Sequence, residues 1–371
     1  MRQIHIANIC FVGRFGLADY TLSLARALTA HCQSTIVTAR DFDYPHVPFT
    51  GEVVRLFRRS RHYPVDLLRF LRWAWSSRPD VIVFQAPLKF PLVDGLVVRL
   101  MRRWGIRVAT TVHDVLPHYP SAWSHFTYKF FYRSFDRLVA HGKAAEAQLS
   151  TMGINLPVLV VPHGVYDIYR ITGVGREAAR QRVGGLTNSE FVLLFFGRID
   201  ERKGIEALLQ YGNSLGESDQ IKIVVAGING ISPSNGRLHD IFEAAKRSGT
   251  YVILDKRISF EDVETLFSAC DTVVLPYIEG TTSGVLKLAM AFGKPVVATD
   301  IGDIPETVPS DVGVVVSHAA VAAALPEAVS RLRATYEAYQ ANWASHARRF
   351  AWDGIGKRYF DFLADELNKD T

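Results

Sequence analysis

Short unbroken runs of apolar residues alternate along the whole chain with longer stretches in which apolar residues recur every three or four positions. In the first half the short runs cover residues 4–10, 35–39, 53–57, 81–85, 108–112, 138–140 and 158–161. In the second half they cover residues 191–196, 221–226, 251–254, 272–275, 296–298 and 313–316. Runs of this length, rich in Val and Ile, predict strands buried on both faces. Their alternation with helix-period segments predicts right-handed crossovers and parallel sheets, an α/β architecture.

The alternation occurs twice, with a break over residues 166–188 that carries Gly173, Gly175, Gly184 and Gly185. The pattern therefore predicts two Rossmann-like, doubly wound domains, over residues 1–165 and 189–350, joined by a linker at 166–188. An amphipathic segment at 351–368 is expected to form a helix that returns to the first domain. Ligands of such sheets sit beyond the carboxyl ends of the strands, so a site is expected in a cleft where the two domains face each other.

Composition narrows this picture. At 371 residues the chain is long for one core and comfortable for two. Cys10, Cys32 and Cys270 form neither a CxxC pair nor a Cys/His cluster, so neither a disulfide framework nor a structural zinc site is expected, and a reducing cytoplasm fits best. The first residues run directly into a strand pattern without a signal-peptide core. No apolar run approaches the ~20 residues of a membrane span. The charge is uneven: up to Arg170 there are 21 basic and 11 acidic side chains, and beyond it 21 and 26. Halves of opposite sign are expected to meet different partners.

Five loops carry candidate chemistry. Gly13-Arg14-Phe15-Gly16 follows the first run and opens a helix, which suits either an anion cradle or a tight turn; its spacing is not that of a dinucleotide-binding fingerprint. His113 ends a strand, where it can hydrogen-bond a sugar hydroxyl, carry a proton, or serve structure alone; His118 is less well placed. Pro162-His163-Gly164-Val165 reads first as a strand-ending turn near a hinge. In the 197–204 loop, Arg198 offers a planar fork of donors and Lys203 a mobile point charge, a pair suited to a diphosphate, although Asp200, Glu201 and Arg202 also fit a solvated charged turn. In the last loop, Glu279, Thr281, Thr282, Ser283, Gly284 and Val285 lead into an apolar helix, where small residues can cradle a phosphate or sugar.

The fourth and fifth loops stand about 80 residues apart, and the run Ala289-Met290-Ala291-Phe292-Gly293-Lys294-Pro295 follows them. Together these resemble the retaining family-4 (group 1) glycosyltransferases of the GT-B fold. The resemblance implies that Arg198 and Lys203 bind the diphosphate of a nucleotide-sugar donor and that His113 contacts the transferred sugar. It further implies that Glu279 and the Ser283–Val285 backbone hold sugar and phosphate, with Thr282 and Gly284 in the same cradle. Gly13 and Gly16 fall at the family's glycine loop, and Arg257 and Ile258 at the turn that meets the nucleobase. His113, Glu279, Arg198 and Lys203 would then be catalytic. The implied reaction is retaining hexosyl transfer from a UDP- or GDP-sugar, with no metal and no cofactor beyond the donor, which is itself a substrate. The family's second glutamate, which binds ribose, is missing: its place falls on Lys287 or Leu288.

The basic first half adds a partner. Arg55, Arg58, Arg59, Arg61, Arg69, Arg72 and Arg78 interleave with Phe57, Tyr63, Phe70, Trp73 and Trp75, and Arg99, Arg102, Arg103 and Arg107 surround Met101 and Trp104. This suits an anionic membrane surface and a glycan or polyprenyl-diphosphate-linked acceptor in polysaccharide or glycolipid assembly, placing the protein in the cytoplasm, peripheral on the inner face of the membrane. The competing reading is of core aromatics beside solvated arginines. No nucleic-acid motif is present, so nucleic acid is not an expected partner. Two rival functions remain open: a nucleotide-sugar epimerase on the same fold, and a catalytically silent sugar-nucleotide-binding protein.

Overall fold

The computed structural model describes residues 3–14, 16–58, 60–117, 121–280 and 283–365. It divides into two compact units, one comprising the chain up to Gly164 and from Phe350 onward, the other Val165–Arg349.

The first unit is built on β1 (His5–Ile9), β2 (Gln33–Ala39), β3 (Glu52–Phe57), β4 (Val81–Phe84), β5 (Arg107–Val112), β6 (Arg137–Ala140) and β7 (Val158–Val160). All pairings are parallel and the order is β3-β2-β1-β4-β5-β6-β7. The order reverses between β1 and β4, where Ala7 lies beside Ile82. Helices α1 (Leu17–Leu28), α2 (Tyr63–Ser77), α3 (Pro91–Arg103), α4 (Ser124–Tyr132) and α5 (Lys143–Thr151) connect the strands. Right-handed crossovers place α2, α3 and α4 on one face of the sheet and α1 on the other.

The second unit contains α6 (Arg176–Val183), β8 (Phe191–Phe196), α7 (Ile205–Asn213), β9 (Ile221–Gly227), α8 (Gly236–Arg247), β10 (Tyr251–Asp255), α9 (Phe260–Ala269) and β11 (Thr272–Leu275). It continues through α10 (Gly284–Ala291), β12 (Val296–Thr299), α11 (Ile304–Thr307), β13 (Gly313–Val316), α12 (Val321–Ala334) and α13 (Tyr336–Ala347). Its sheet is again parallel, in the order β10-β9-β8-β11-β12-β13, and reverses between β8 and β11. Each of the thirteen apolar runs read from the sequence became a strand. The physical reason is burial on both faces: β1 and β11 are buried at every position, so no polar alternation interrupts the signal.

Residues 166–188, read from the sequence as a linker, are tied to the second unit. Glu264 on α9 accepts hydrogen bonds from the Thr172 and Gly173 amides at 2.8 and 2.7 Å. Arg180 is fully buried, donates to Asp271 at 2.7 Å and also reaches backbone carbonyls of Ala269, Thr187 and Glu190. Asp271 accepts the Val192 amide in turn, so this buried charge pair pins α6 beside the start of β8. Helix α14 (Trp352–Ala364) lies in the first unit against α1, where Tyr359 Oη and Tyr20 Oη are 2.7 Å apart.

The interleaved aromatics of the basic half divide unevenly. Phe57, Tyr63, Phe70 and Met101 belong to the core of the first unit, Trp73 and Trp104 pack against it, and Trp75 is exposed. Among the described residues no helix is long and apolar enough to cross a membrane.

Candidate functional site

In the second unit the loops after β8 and β11 leave the carboxyl edge of the sheet on either side of the strand-order reversal, the position at which open α/β sheets bind ligands. Their backbones are joined there: the Ile278 and Glu279 amides donate to the Arg202 carbonyl at 2.9 and 3.2 Å. Gly204 closes the first loop in the left-handed conformation, φ 68°, and a Cβ at this position would overlap the Pro276 carbonyl. Only glycine allows the two loops to approach this closely.

The charges of the 197–204 loop are organised by Asp200. This buried carboxylate accepts the Lys203 amide at 3.1 Å and lies 3.3 Å from Arg198 Nε and 3.7 Å from Arg202 Nη2. Asp200 thus lies beside two guanidiniums, and with Glu201 the loop sets three cations against two carboxylates, a net of one positive charge. Arg198 remains largely exposed, its guanidinium lying over Gly230. Lys203 Nζ sits 3.8 Å from the centroid of the buried Tyr277 ring, a cation–π contact. Burial holds the Lys203 ammonium below its usual range, and Asp200 opposes that shift. A partly desolvated ammonium gains from an added anion.

Ser283 caps α10. Its Oγ accepts the Leu286 amide at 3.1 Å and lies 3.2 Å from Tyr277 Oη, so the hydroxyl is committed to the helix end. Val285 is close to Gly197, with Val285 Cγ2 3.8 Å from where a Gly197 Cβ would stand. The first amides of a helix have no partner within it, which makes this end attractive to anions. Glu279 and Gly280 are exposed beside it. Thr281 and Thr282 lie outside the described residues. Arg257 and Ile258 occupy the turn between β10 and α9, at the same carboxyl edge but two strands away from β8. Asp255 links that turn inward by accepting the Asn229 amide at 3.0 Å.

A sequence profile described as "Glycosyl transferases group 1" matches residues 190–334, and one described as "Glycosyl transferase 4-like domain" matches residues 15–164. The chain belongs to the group 1, family-4-like glycosyltransferases. Among its relatives is a D-inositol 3-phosphate glycosyltransferase of Actinosynnema mirum, 31% identical over 229 residues, which are 59% of this chain and 54% of that protein. The chain spans about half the length of the curated relatives it matches. Solved structures establish the GT-B fold. Sucrose-phosphate synthase from Thermosynechococcus elongatus superposes with a TM-score of 0.74 at 20% identity, covering 100% of both chains. Anabaena HepE in complex with UDP superposes with a TM-score of 0.73 at 17% identity, covering 98% of this chain and 100% of that one.

Three features of this glycosyltransferase escaped the sequence reading. The loop after β9, Gly227-Ile228-Asn229-Gly230, seats the 197–204 loop: a Cβ on Gly227, φ 153°, would overlap the Gly197 carbonyl, and one on Gly230 would meet the Arg198 guanidinium. Two glycines just past a strand were the available signal. Tyr277 gave none, since nothing in its neighbourhood announces a cation. The third feature is Asp303. Lys287 is fully buried on α10 and pairs with Asp303 Oδ2 at 3.3 Å, while Leu288 is in the apolar interior. Position 287 therefore carries a cation whose pKa burial lowers and Asp303 raises, and the nearby carboxylate comes from the loop after β12. Asp303 Oδ1 is buried without a hydrogen-bond partner.

The first unit's candidates also stand at a carboxyl edge. Gly13 follows β1, and a Cβ there would strike the Asp41–Phe42 backbone; Gly16 is the N-cap of α1, and Phe15 lies outside the described residues. His113 follows β5, keeps some exposed surface, and packs 4.6 Å from Tyr20 and 5.0 Å from His141, centroid to centroid. Its Nε2 is buried with no hydrogen-bond partner. Burial first, and the neighbouring His141 second, hold its imidazole well below the usual range, so it is neutral near pH 7. A neutral ring can donate or accept one hydrogen bond but is a poor proton donor. His163 is buried against Tyr20, and Gly164 leaves room for Trp352 of α14, which makes this turn a packing element. His118 lies outside the described residues. Among the described residues no group of three or more His, Cys, Asp or Glu side chains is arranged to hold a metal ion.

Proposed function

We propose that the protein is a retaining, metal-independent hexosyltransferase that moves a sugar from a UDP- or GDP-sugar to a polysaccharide or glycolipid acceptor, lipid-linked and met at the inner face of the cytoplasmic membrane. The observation that carries this reading is the junction of the 197–204 and 277–285 loops at the strand-order reversal of the second sheet, with Arg198, Lys203 and the α10 N-terminus on one edge. The complex of Anabaena HepE with UDP supports a nucleotide donor. Arg198 and Lys203 would neutralise the charge that builds on the diphosphate as the glycosidic bond breaks. Glu279 and the Ser283–Val285 backbone would hold sugar and distal phosphate, the Arg257–Ile258 turn the base, and Asp303, oriented by Lys287, the ribose hydroxyls. Gly13, Gly16 and His113 are assigned to donor and sugar by the family resemblance, His113 as a neutral hydrogen-bonding group. Retention follows if the acceptor attacks the face that the diphosphate leaves, with a donor phosphate oxygen taking its proton.

The test is a thermal-shift panel of UDP, GDP and ADP with their sugars, followed by turnover of the labelled donor that binds. A ligand at ~100 times its Kd stabilises by about 2.7 kcal/mol. A panel without any shift ends the proposal. Binding without release of diphosphate in the presence of acceptor leaves a silent binding protein instead.

A further inference from the structure

The helices on one face of the first sheet present an unusual surface. On α2 the solvent-facing positions include Val65, Leu68, Arg69, Arg72 and Trp75; on α3 they include Leu92, Val93, Leu96, Leu100 and Arg103. Leu68 and Leu96 are 68% and 58% exposed. At the start of α4, Trp123 and Phe126 are 73% and 59% exposed. Isolated exposed apolar residues are ordinary, but large ones recurring on three helices of one face mark an interaction surface.

The charge of this surface has one sign. The acidic residues of α2 and α3 are Asp66 and Asp94, and both turn inward. Asp66 accepts from the Arg58 amide and Nε at 2.8 and 2.9 Å, and Arg69 reaches it at 3.5 Å. Asp94 accepts from Tyr63 Oη at 2.5 Å and from the Lys89 amide at 3.1 Å. Arg102 is compensated by Asp136 at 2.6 Å. Arg72 and Arg103 face solvent, and no glutamate occurs between Glu52 and Glu146. The outer faces of α2 and α3 therefore combine leucine and arginine without a carboxylate.

The arrangement along the helices is also polarised. In a parallel sheet each connecting helix runs back against the strands, so the N-terminal turns of α2, α3 and α4 stand at the carboxyl edge, the edge that carries Gly13 and His113. Val65, Leu92, Val93 and Phe126 fall in those first turns and Leu68 and Leu96 in the second, whereas Arg103 ends α3 and Arg72 lies five residues before the end of α2.

We propose that this α2–α3–α4 face docks on an anionic lipid bilayer, burying Leu68, Leu96, Trp123 and Phe126 at the headgroup boundary with Arg72 and Arg103 against lipid phosphates. Aromatic rings, leucines and uncompensated arginines on a helical face are what an anionic interface stabilises. A second copy of the chain would set arginine against arginine, and a nucleic acid would leave the leucines in water. The proposal rests on the lipid-linked acceptor reading for its purpose, because docking here brings the carboxyl edge of the first sheet to the membrane surface.

The experiment is co-sedimentation of the full chain, at low salt, with vesicles of phosphatidylcholine alone or mixed with phosphatidylglycerol. Wild type pellets with the mixed vesicles and stays in solution with phosphatidylcholine alone. Leu68→Asp/Leu96→Asp weakens binding at least ~tenfold, and Arg72→Glu/Arg103→Glu removes the preference for phosphatidylglycerol, while both keep the wild-type melting temperature. The proposal is overturned if wild type ignores mixed vesicles, if the leucine variant binds them unchanged, or if that variant instead dissolves a dimer in sedimentation velocity. Vesicle binding by a protein that shows no nucleotide-induced thermal shift upholds the docking face and removes only the transfer reading.

Discussion

In the second unit the carboxyl edge of the sheet gathers Arg198, Arg202 and Lys203 around one buried carboxylate, Asp200. In the first unit the corresponding edge packs His113 against Tyr20, His141 and His163, with Trp352 of α14 against Tyr20, and keeps the His113 imidazole neutral. The two sheets share a topology and differ in what their edges can stabilise. An edge with surplus cations favours a ligand that gains negative charge during reaction. An edge that suppresses charge favours a neutral, hydrogen-bonding ligand.

The largest test of this contrast is removal of the cations. Arg198→Ala and Lys203→Ala are each expected to lower kcat by ~100- to 1,000-fold, about 2.7–4 kcal/mol of transition-state stabilisation. Unchanged diphosphate release in single-turnover assays would break the comparison at its stronger end.

Next is the junction that holds the cationic loop. Gly204→Ala forces a left-handed residue to carry a Cβ into the Pro276 carbonyl. A loss of at least ~1–3 kcal/mol is expected, read by denaturant unfolding, together with weaker nucleotide binding. A fully stable variant would mean that the two loops can separate without cost.

The neutral edge predicts a pH dependence. The unfolded chain protonates His113 near pH ~6.5, whereas the folded chain does so only well below that. The unfolded state therefore binds more protons in that window, and stability falls as the pH drops below about 6.5, by at most about 1.4 kcal/mol per pH unit for this group. His113→Gln is expected to flatten the fall in melting temperature between neutral and mildly acidic pH. An identical profile in the variant would show that His113 titrates normally.

The smallest effect belongs to Ser283→Ala. It removes the α10 cap and is expected to cost ~1 kcal/mol, as for other N-caps, with a modest loss of donor affinity. A drop in kcat as large as that of Lys203→Ala would place the Ser283 hydroxyl in the reaction and outside helix capping.

Much of this was legible in the residues themselves. Most strands could be read because parallel strands covered on both faces keep polar alternation out of the pattern, while the edge strand β3 was legible from Val53, Val54, Leu56 and Phe57 despite exposed Glu52 and Arg55. The 197–204 loop could be read as a diphosphate candidate because Arg198 and Lys203 are neighbours in the chain. Only the fold shows that its Arg202 carbonyl receives the Ile278 and Glu279 amides, about 75 residues further on.

The helical face of the first unit divided along the same line. Periodicity marks Phe70 and Leu68 alike as apolar helix positions, and only packing against Phe57 and Phe84 buries the first while leaving the second in solvent. Asp303 beside Lys287 and Gly230 beneath Arg198 depend on loops that follow consecutive strands side by side in the sheet, and the Arg202–Ile278 junction depends on β8 lying beside the distant β11. What the sequence alone determined was local: runs that must be buried and loops rich in charge or glycine. Which charges face one another, and which apolar residues are left outside, was decided by strand order, because chain separation carries no information about distance once a sheet has formed.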